Sequence, residues 1–395
     1  MTALKRNAGA FLLAAAMAVL LCLAVTPGSA FGDDAISKTT IGTAAEEYLE
    51  SMANLLATGT PEQESAAFIR AKKSISDSEM QRELRKEICN WRERLKPDVE
   101  YSSASSNLTI EAQRVDEDGR ILVDAIEETM LINKHSGVEQ RFGGRHVFVF
   151  EGQGKDWTLV EDRQIDPTGL LPEGKDLRFV YGGEEEVSPG EEGDAVALSE
   201  ISGEPVDCLP EVEASTAKPE DLGEDASQIA PQAVAPTGYD AIKAAKYLEK
   251  YYLHPNAQYR NFDKRGGDCT NFASQALYAG GWKMKRKGSY EKDYNYWWYA
   301  KTTQSKSWVN VVGLGSFARL SHRCSMLNNV WKLRLGDMLQ VQPQGSKVKT
   351  HTMMVSYVKN GEPYFTYRSK SSYRVSLSTV LKKYPGAKFF AYDIQ

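Results

Sequence analysis

Hydrophobic positions change period along the chain, and each change marks a different kind of structure. From Ala44 to Leu95 the spacing is helical: Ala45, Tyr48, Leu49, Met52, Leu55 and Leu56 form one stripe. Thr60-Pro61-Glu62 interrupts it, and Ile69, Ile75, Met80, Leu84 and Ile88 continue in a second, charged helix that ends near Pro97. The period then falls to two. Apolar and polar residues alternate through Asn107–Val115, Ile121–Asn133, Arg145–Glu151 and Trp157–Ile165, with Gly- and Asp-rich turns between them. Helices followed by an antiparallel meander predict an α+β unit over residues 37–181. It carries no His or Cys cluster and no phosphate-binding loop in sequence, so we read it as an accessory domain.

The extreme N-terminus follows neither pattern. Lys5 and Arg6 precede an uncharged run, Phe11–Val25, and Pro27-Gly28-Ser29-Ala30 follows. A basic start, an apolar centre and a small-residue exit predict a secretory signal peptide over residues 1–30, cleaved after Ala30. The run is short for a spanning helix. The expectation is therefore a secreted or cell-surface protein with no stable membrane insertion after cleavage.

Charge divides the rest. Between Glu184 and Asp225 there are 15 acidic residues against Lys218 alone, in a stretch rich in Pro, Gly, Ser and Ala. Such a segment buries too little apolar surface to offset its ordering entropy, so residues 182–236 are expected to form a disordered or extended acidic linker. From Tyr239 onward the sign reverses, with 26 Lys and Arg against 9 Asp and Glu. The whole-chain charge of −5 thus conceals an acidic front and a basic back. A basic exported domain is drawn to polyanions such as anionic wall polymers. A second reading is that it folds back on the acidic stretch. No nucleic-acid-binding motif is present, and no nucleic acid partner is expected.

The final region, 237–395, carries the candidate chemistry. An amphipathic helix over Tyr239–Tyr251 leads to Gly266-Gly267-Asp268-Cys269-Thr270-Asn271-Phe272, and Phe272, Ala273, Ala276, Leu277 and Gly280 recur at helical spacing. A helix therefore begins near Cys269, with Asp268 or Thr270 as its cap. A cysteine at a helix N-terminus feels the positive end of the dipole, which favours the thiolate. A nucleophile needs a base. Of five histidines, His135 and His146 lie in the accessory domain, His254 precedes a proline, and His322 adjoins Cys324. His351 opens an apolar strand, His351–Val358, after the turn at Gly336-Asp337. Gly267 and Asp268, together with Trp297 and Trp298 from an aromatic-rich loop, are the candidate substrate-binding residues. Asp337 reads as a turn residue. No Asp, His or Cys set has metal-ligand spacing, so no metal and no cofactor are expected. The cysteines left after removal of the leader, Cys89, Cys208, Cys269 and Cys324, leave open a bridged, structural role for Cys269.

Gly266–Phe272 followed by Ser274–Trp282, then Trp308-Val309-Asn310, Gly336-Asp337 and His351, resembles the putative amidase domain family of exported bacterial proteins, which is similar to papain-like and CHAP-type cysteine hydrolases. The resemblance spans Tyr239–Ile394. It implies an α+β, papain-like fold in which a helix-borne Cys269 packs on an antiparallel sheet bearing His351. It also implies nucleophile and base roles for that pair, and a peptide or amide substrate such as peptidoglycan. One position departs from the pattern: Arg368 stands about where the family tends to place a polar residue, often His, that orients the base. Arginine accepts no hydrogen bond. Thr366, Tyr367, Ser369 or a backbone carbonyl takes that role, or the domain is an inactive module that binds wall polyanions.

Overall fold

In the computed structural model the period-two residues become four long antiparallel strands and the helical stripes two helices. The structure describes residues 38–58, 79–153, 156–163, 210–218, 238–263, 267–286 and 293–395. The expected signal peptide and most of the acidic stretch lie outside these residues.

Helices α1 (Lys38–Thr58) and α2 (Glu79–Leu95) precede β1 (Tyr101–Val115), β2 (Ile121–Asn133), β3 (Glu139–Gln153) and β4 (Asp156–Asp162). The basic region adds α3 (Ala241–Tyr251), α4 (Cys269–Ala279), a two-stranded β5–β6 (Tyr299–Ala300, Thr303–Gln304), α5 (Lys306–Val309) and α6 (Val311–Leu320). Then come β7 (Cys324–Leu327), β8 (Met338–Gln342), β9 (His351–Lys359), β10 (Glu362–Tyr367), β11 (Ser371–Ser376), α7 (Leu377–Lys383) and β12 (Lys388–Ile394). Mixed helices and antiparallel strands make the fold α+β.

The two regions share one sheet, ordered β1-β2-β3-β11-β10-β9-β8-β12-β7, with β4 on the free half of β3. The join is short: Arg141, Phe142 and Gly143 of β3 pair with Tyr373, Ser372 and Ser371 of β11. Gly143 is required there, because a Cβ would run into the Leu253 side chain and lie 2.9 Å from the Glu127 carbonyl oxygen. Strand alternation gives the sheet two apolar faces. One face carries Val123, Phe148, Leu339, Val341, Met353, Val355 and Phe365 under Tyr48 and Met52 of α1 and Trp91 of α2. The other carries Met338, Met354 and Tyr392 under α3, α4 and α6. Each large apolar side chain removed from water contributes about 1.5–3 kcal/mol, so the first cluster ties front and back into one folding unit.

Two polar features were not foreseen. In β2 every second residue from Val123 to Asn133 points inward, and two of these are Glu127 and Thr129. Glu127 accepts from His146 Nε2 at 2.8 Å, and His146 Nδ1 lies 3.0 Å from Asp162 Oδ1, all three side chains being buried. Burial opposes the imidazolium, but Asp162 and Glu127 hold His146 protonated, pushing it up to about 10. The second feature is residues 210–218, within the acidic stretch. They run extended along the sheet's β7 edge: Ala214 N–H donates to Phe389 O at 2.8 Å, Ser215 N–H to Asn328 O at 2.7 Å, and Val330 N–H to Ser215 O at 2.9 Å.

Candidate active site

Cys269 is the first residue of α4, as the apolar spacing after it predicts. Asp268 precedes it but does not cap the helix with its side chain, as one of the two sequence-based options required. Its carboxylate turns away instead. It accepts from the Phe262 N–H at 2.9 Å and Asn271 Nδ2 at 2.8 Å, and pairs with Arg368 Nη1 at 2.8 Å. Asn271 in turn donates to the Arg260 carbonyl and accepts from Trp308 Nε1. The side chain of Asp268 is thus committed to the preceding loop, to Asn271 of α4 and to Arg368. Burial raises it to about 6, against the Arg368 charge and these hydrogen bonds.

Arg368 is therefore committed to the loop that carries Asp263 and Asp268. It is buried, bridges Asp268 to Asp263 (Nη2 to Oδ2, 3.0 Å), and covers the Phe272 ring at 5.6 Å. Its partners lie on another element about a hundred residues away, beyond the reach of local pattern.

His351 opens β9, opposite Val341 of β8. Its neighbour Thr352 faces α4, where its hydroxyl lies 3.2 Å from that of Thr270. The imidazole, in step with Met353 and Val355, packs edge-on against Tyr367 (4.9 Å between centroids, 84°) and beside Tyr384 at 6.4 Å. Of the other candidate orienters, Thr366 is committed to Ser356 Oγ and the Arg374 N–H. Ser369 is exposed, above Gly267, where a Cβ would meet its Oγ at 2.8 Å. Gly267 itself has φ +100°, a left-handed conformation that favours glycine.

The electrostatics single out one sulfur. Burial pushes the Cys269 thiol up, but the His351 charge, hydrogen bonds with His351 and the Thr352 N–H, and the Thr270 hydroxyl bring it below the ordinary thiol range. Cys324, equally buried but lacking such donors, is pushed up to about 12. Cys89, Cys269 and Cys324 are all free thiols, so no disulfide among the described residues locks the site. Cys269 retains 6% of its surface and His351 2%.

Burial bears on three of the sequence-based substrate-binding assignments. Trp297 and Trp298 are wholly buried and cannot stack on a substrate. Trp297 donates to Ser274 Oγ at 3.0 Å and packs against Trp308, Phe317 and Trp282, while Arg286 covers Trp298 at 4.6 Å. Trp297 thereby braces α4. The buried carboxylate of Asp268 is likewise a scaffold group and not a substrate contact. Asp337 is a turn residue, accepting from the Arg334 and Ile394 N–H groups. Among the described residues no group of His, Cys, Asp and Glu is arranged to hold a metal ion.

Residues 238–392 match the putative amidase domain family, the one that the segment around Cys269 resembles. Over 123 residues the chain is 29% identical to the uncharacterized protein YhbB of Bacillus subtilis (strain 168), covering 30% of this chain and 37% of that protein. Over 176 residues it is 27% identical to the uncharacterized protein YjcM of the same organism, covering 42% of this chain and 39% of that one. The chain thus spans less than two-fifths of the length of these relatives. No solved structure matches it.

Proposed function

We propose that residues 238–392 act as a papain-like cysteine amidohydrolase, with Cys269 as nucleophile and His351 as general base, in a protein exported to a bacterial cell surface. The observation that carries this reading is a free, buried thiol on the first residue of a helix beside the Thr270 hydroxyl, in an environment where the His351 charge favours the thiolate. The match to the amidase family supports hydrolysis of a C–N bond.

In this mechanism the Cys269 thiolate attacks the carbonyl carbon of an amide or peptide. The developing oxyanion faces the N–H groups at the start of α4, which the Asp268 side chain leaves uncapped. The His351 imidazolium gives its proton to the departing amine, the C–N bond breaks and a thioester remains. Water, deprotonated by His351, then attacks the thioester, releasing a carboxylic acid and restoring the pair. The leader-like N-terminus and the basic charge of residues 239–395 favour a substrate in the anionic cell wall, with peptide cross-links or side-chain amides of peptidoglycan as the target.

The test is digestion of purified peptidoglycan and a panel of wall-derived peptides by the full chain and by Cys269→Ala. Release of new amino groups by the wild type alone supports the reading. Tight binding to walls by both proteins, with no release by either, would instead favour a retired fold that holds anionic polymers.

A further inference from the structure

Extended residues 210–218 deliver one carboxylate into a basic recess. Glu211 pairs with Lys349 Nζ and lies 3.6 Å from Arg319 Nη2 and 3.1 Å from Tyr392 Oη. Lys349 and Arg319 side chains are each only 4% exposed, and Glu211 brings a negative charge to both. The fit is anchored on both sides: Ala214 is buried in the core, Glu213 pairs with Lys388 at 3.1 Å, and Trp331 Nε1 donates to Thr216 O at 3.0 Å.

From Lys349 a chain of hydrogen bonds leads to the thiol, and every donor in it can point the same way. Lys349 Nζ donates to Tyr392 Oη (2.9 Å), and Tyr392 donates to Gln340 Oε1 (2.9 Å). Gln340 Nε2 donates to Thr352 Oγ1 (3.3 Å) and also to the Val311 carbonyl (2.7 Å), which fixes the amide's orientation. Thr352 Oγ1 lies 3.2 Å from Thr270 Oγ1, which lies 3.7 Å from Cys269 Sγ. Because Gln340 donates to Thr352, the Thr352 proton is free for Thr270, and the Thr270 proton for sulfur. A hydroxyl that must donate to sulfur favours the thiolate, and aligned hydrogen bonds polarise one another.

We infer that Glu211 is a positioning residue for the Cys269 thiolate, acting through Lys349, Tyr392, Gln340, Thr352 and Thr270. The acidic stretch is then part of the active site's support, not a passive tether. By keeping Lys349 an ammonium, Glu211 keeps the chain's first member a donor. Without it the Lys349–Tyr392 end of the chain loses its fixed charge, and the polarisation passed through the Val311-anchored amide to the last hydroxyl weakens. The charged and titratable groups around Lys349 are Glu211, Arg319 of α6, Cys324 of β7 and Tyr392 of β12. Around the thiol itself His351 is the charged one. This inference rests on the proposed role of Cys269 as nucleophile.

The experiment is the pH profile of iodoacetamide alkylation, mapped to Cys269 by mass, in the full chain. Wild type is compared with Glu211→Gln, Thr352→Val and the conservative Thr352→Ser. We expect Glu211→Gln and Thr352→Val to move the midpoint up by about half a pH unit, read below the midpoint as about three-fold slower alkylation, with Thr352→Ser restoring the wild-type profile. A Glu211→Gln profile that superimposes on a depressed wild-type one overturns the relay and leaves the nucleophile reading standing. A wild-type midpoint in the ordinary thiol range overturns both. Should Glu211→Gln fail to fold, the Val/Ser pair at Thr352 decides: equal profiles for the two sink the relay.

Discussion

Arg368 and Asp268 form an ion pair at 2.8 Å with neither side chain more than 4% exposed, one residue before the candidate nucleophile. Removing one member of such a pair leaves a buried, uncompensated charge. Arg368→Gln is expected to lower stability by about 3 kcal/mol at neutral pH. The pH dependence follows from Asp268, whose carboxyl is raised to about 6 in the folded protein. A raised carboxyl contributes stability that is fully present below its unfolded value and is lost as pH rises through about 6. Without Arg368 the carboxyl rises further, so the deficit shrinks at pH 5 and is largest at pH 8. Urea unfolding of both proteins at the two pH values checks it, and an equal deficit at both would remove Asp268 from the account.

His351 supplies the first of the effects that lower the Cys269 thiol against its burial. His351→Ala leaves the burial and removes the counter-charge. Alkylation of Cys269 at pH 6.5 should therefore slow by at least about ten-fold, the effect of one pH unit in midpoint. Cys324, pushed up to about 12, should stay unlabelled in both proteins while folded. Preferential labelling of Cys324 over Cys269 in the wild type contradicts the electrostatics of the site.

The buried His146 between Glu127 and Asp162 gives the meander its own pH signature. A histidine raised to about 10 contributes stability that is fully present below its ordinary value and lost as pH passes about 10. His146→Gln leaves two carboxylates facing each other across a dry gap, at a cost of about 3 kcal/mol at pH 7. Thermal or urea unfolding should show that difference narrowing as pH rises from neutral to about 10 and levelling off beyond it, whereas a difference independent of pH would point to packing alone.

What the sequence made legible was local. The limits of β2, Ile121–Asn133, were readable because alternation there is unbroken, and the start of α4 because apolar residues resume at helical spacing right after Cys269. What stayed hidden depends on partners far along the chain. Arg368 looked like a misfit orienter because Asp263 and Asp268 lie about a hundred residues upstream. Glu127, His146 and Asp162 converge only because three strands fall into register, Ala125 facing His146 and Asp162 facing Phe148. The aromatic run around Trp297 carries no period, so nothing local separates a cleft lining from a core brace.

That brace makes its own claim. Trp297 is enclosed by Trp282, Trp308 and Phe317 and reaches Ser274 on α4. Trp297→Ala should cost about 3–5 kcal/mol, as for other large-to-small core changes. Trp297→Phe should cost less but lose the bond to Ser274. Calorimetry or denaturant unfolding reads both. A Trp297→Ala protein of unchanged stability that bound wall fragments more weakly would restore the residue to the cleft.

The same reasoning extends to the boundary between front and back. Composition drew a linker at 182–236, yet β3 pairs with β11 and one apolar cluster contains Tyr48, Trp91 and Phe148 together with Leu339, Met353 and Phe365. A chain beginning at residue 237 would expose that face of β8, β9 and β10, leave β11 as an open edge, and lose Glu211 from its recess. Exposed apolar sheet and an unpaired edge favour association between copies. We expect the shortened protein to unfold at lower urea concentration than the full chain and to sediment as aggregates, with partial recovery when the front unit, residues 37–181, is supplied in trans. A monodisperse fragment of full-chain stability would show that the shared sheet contributes little, and would return the boundary to where composition put it.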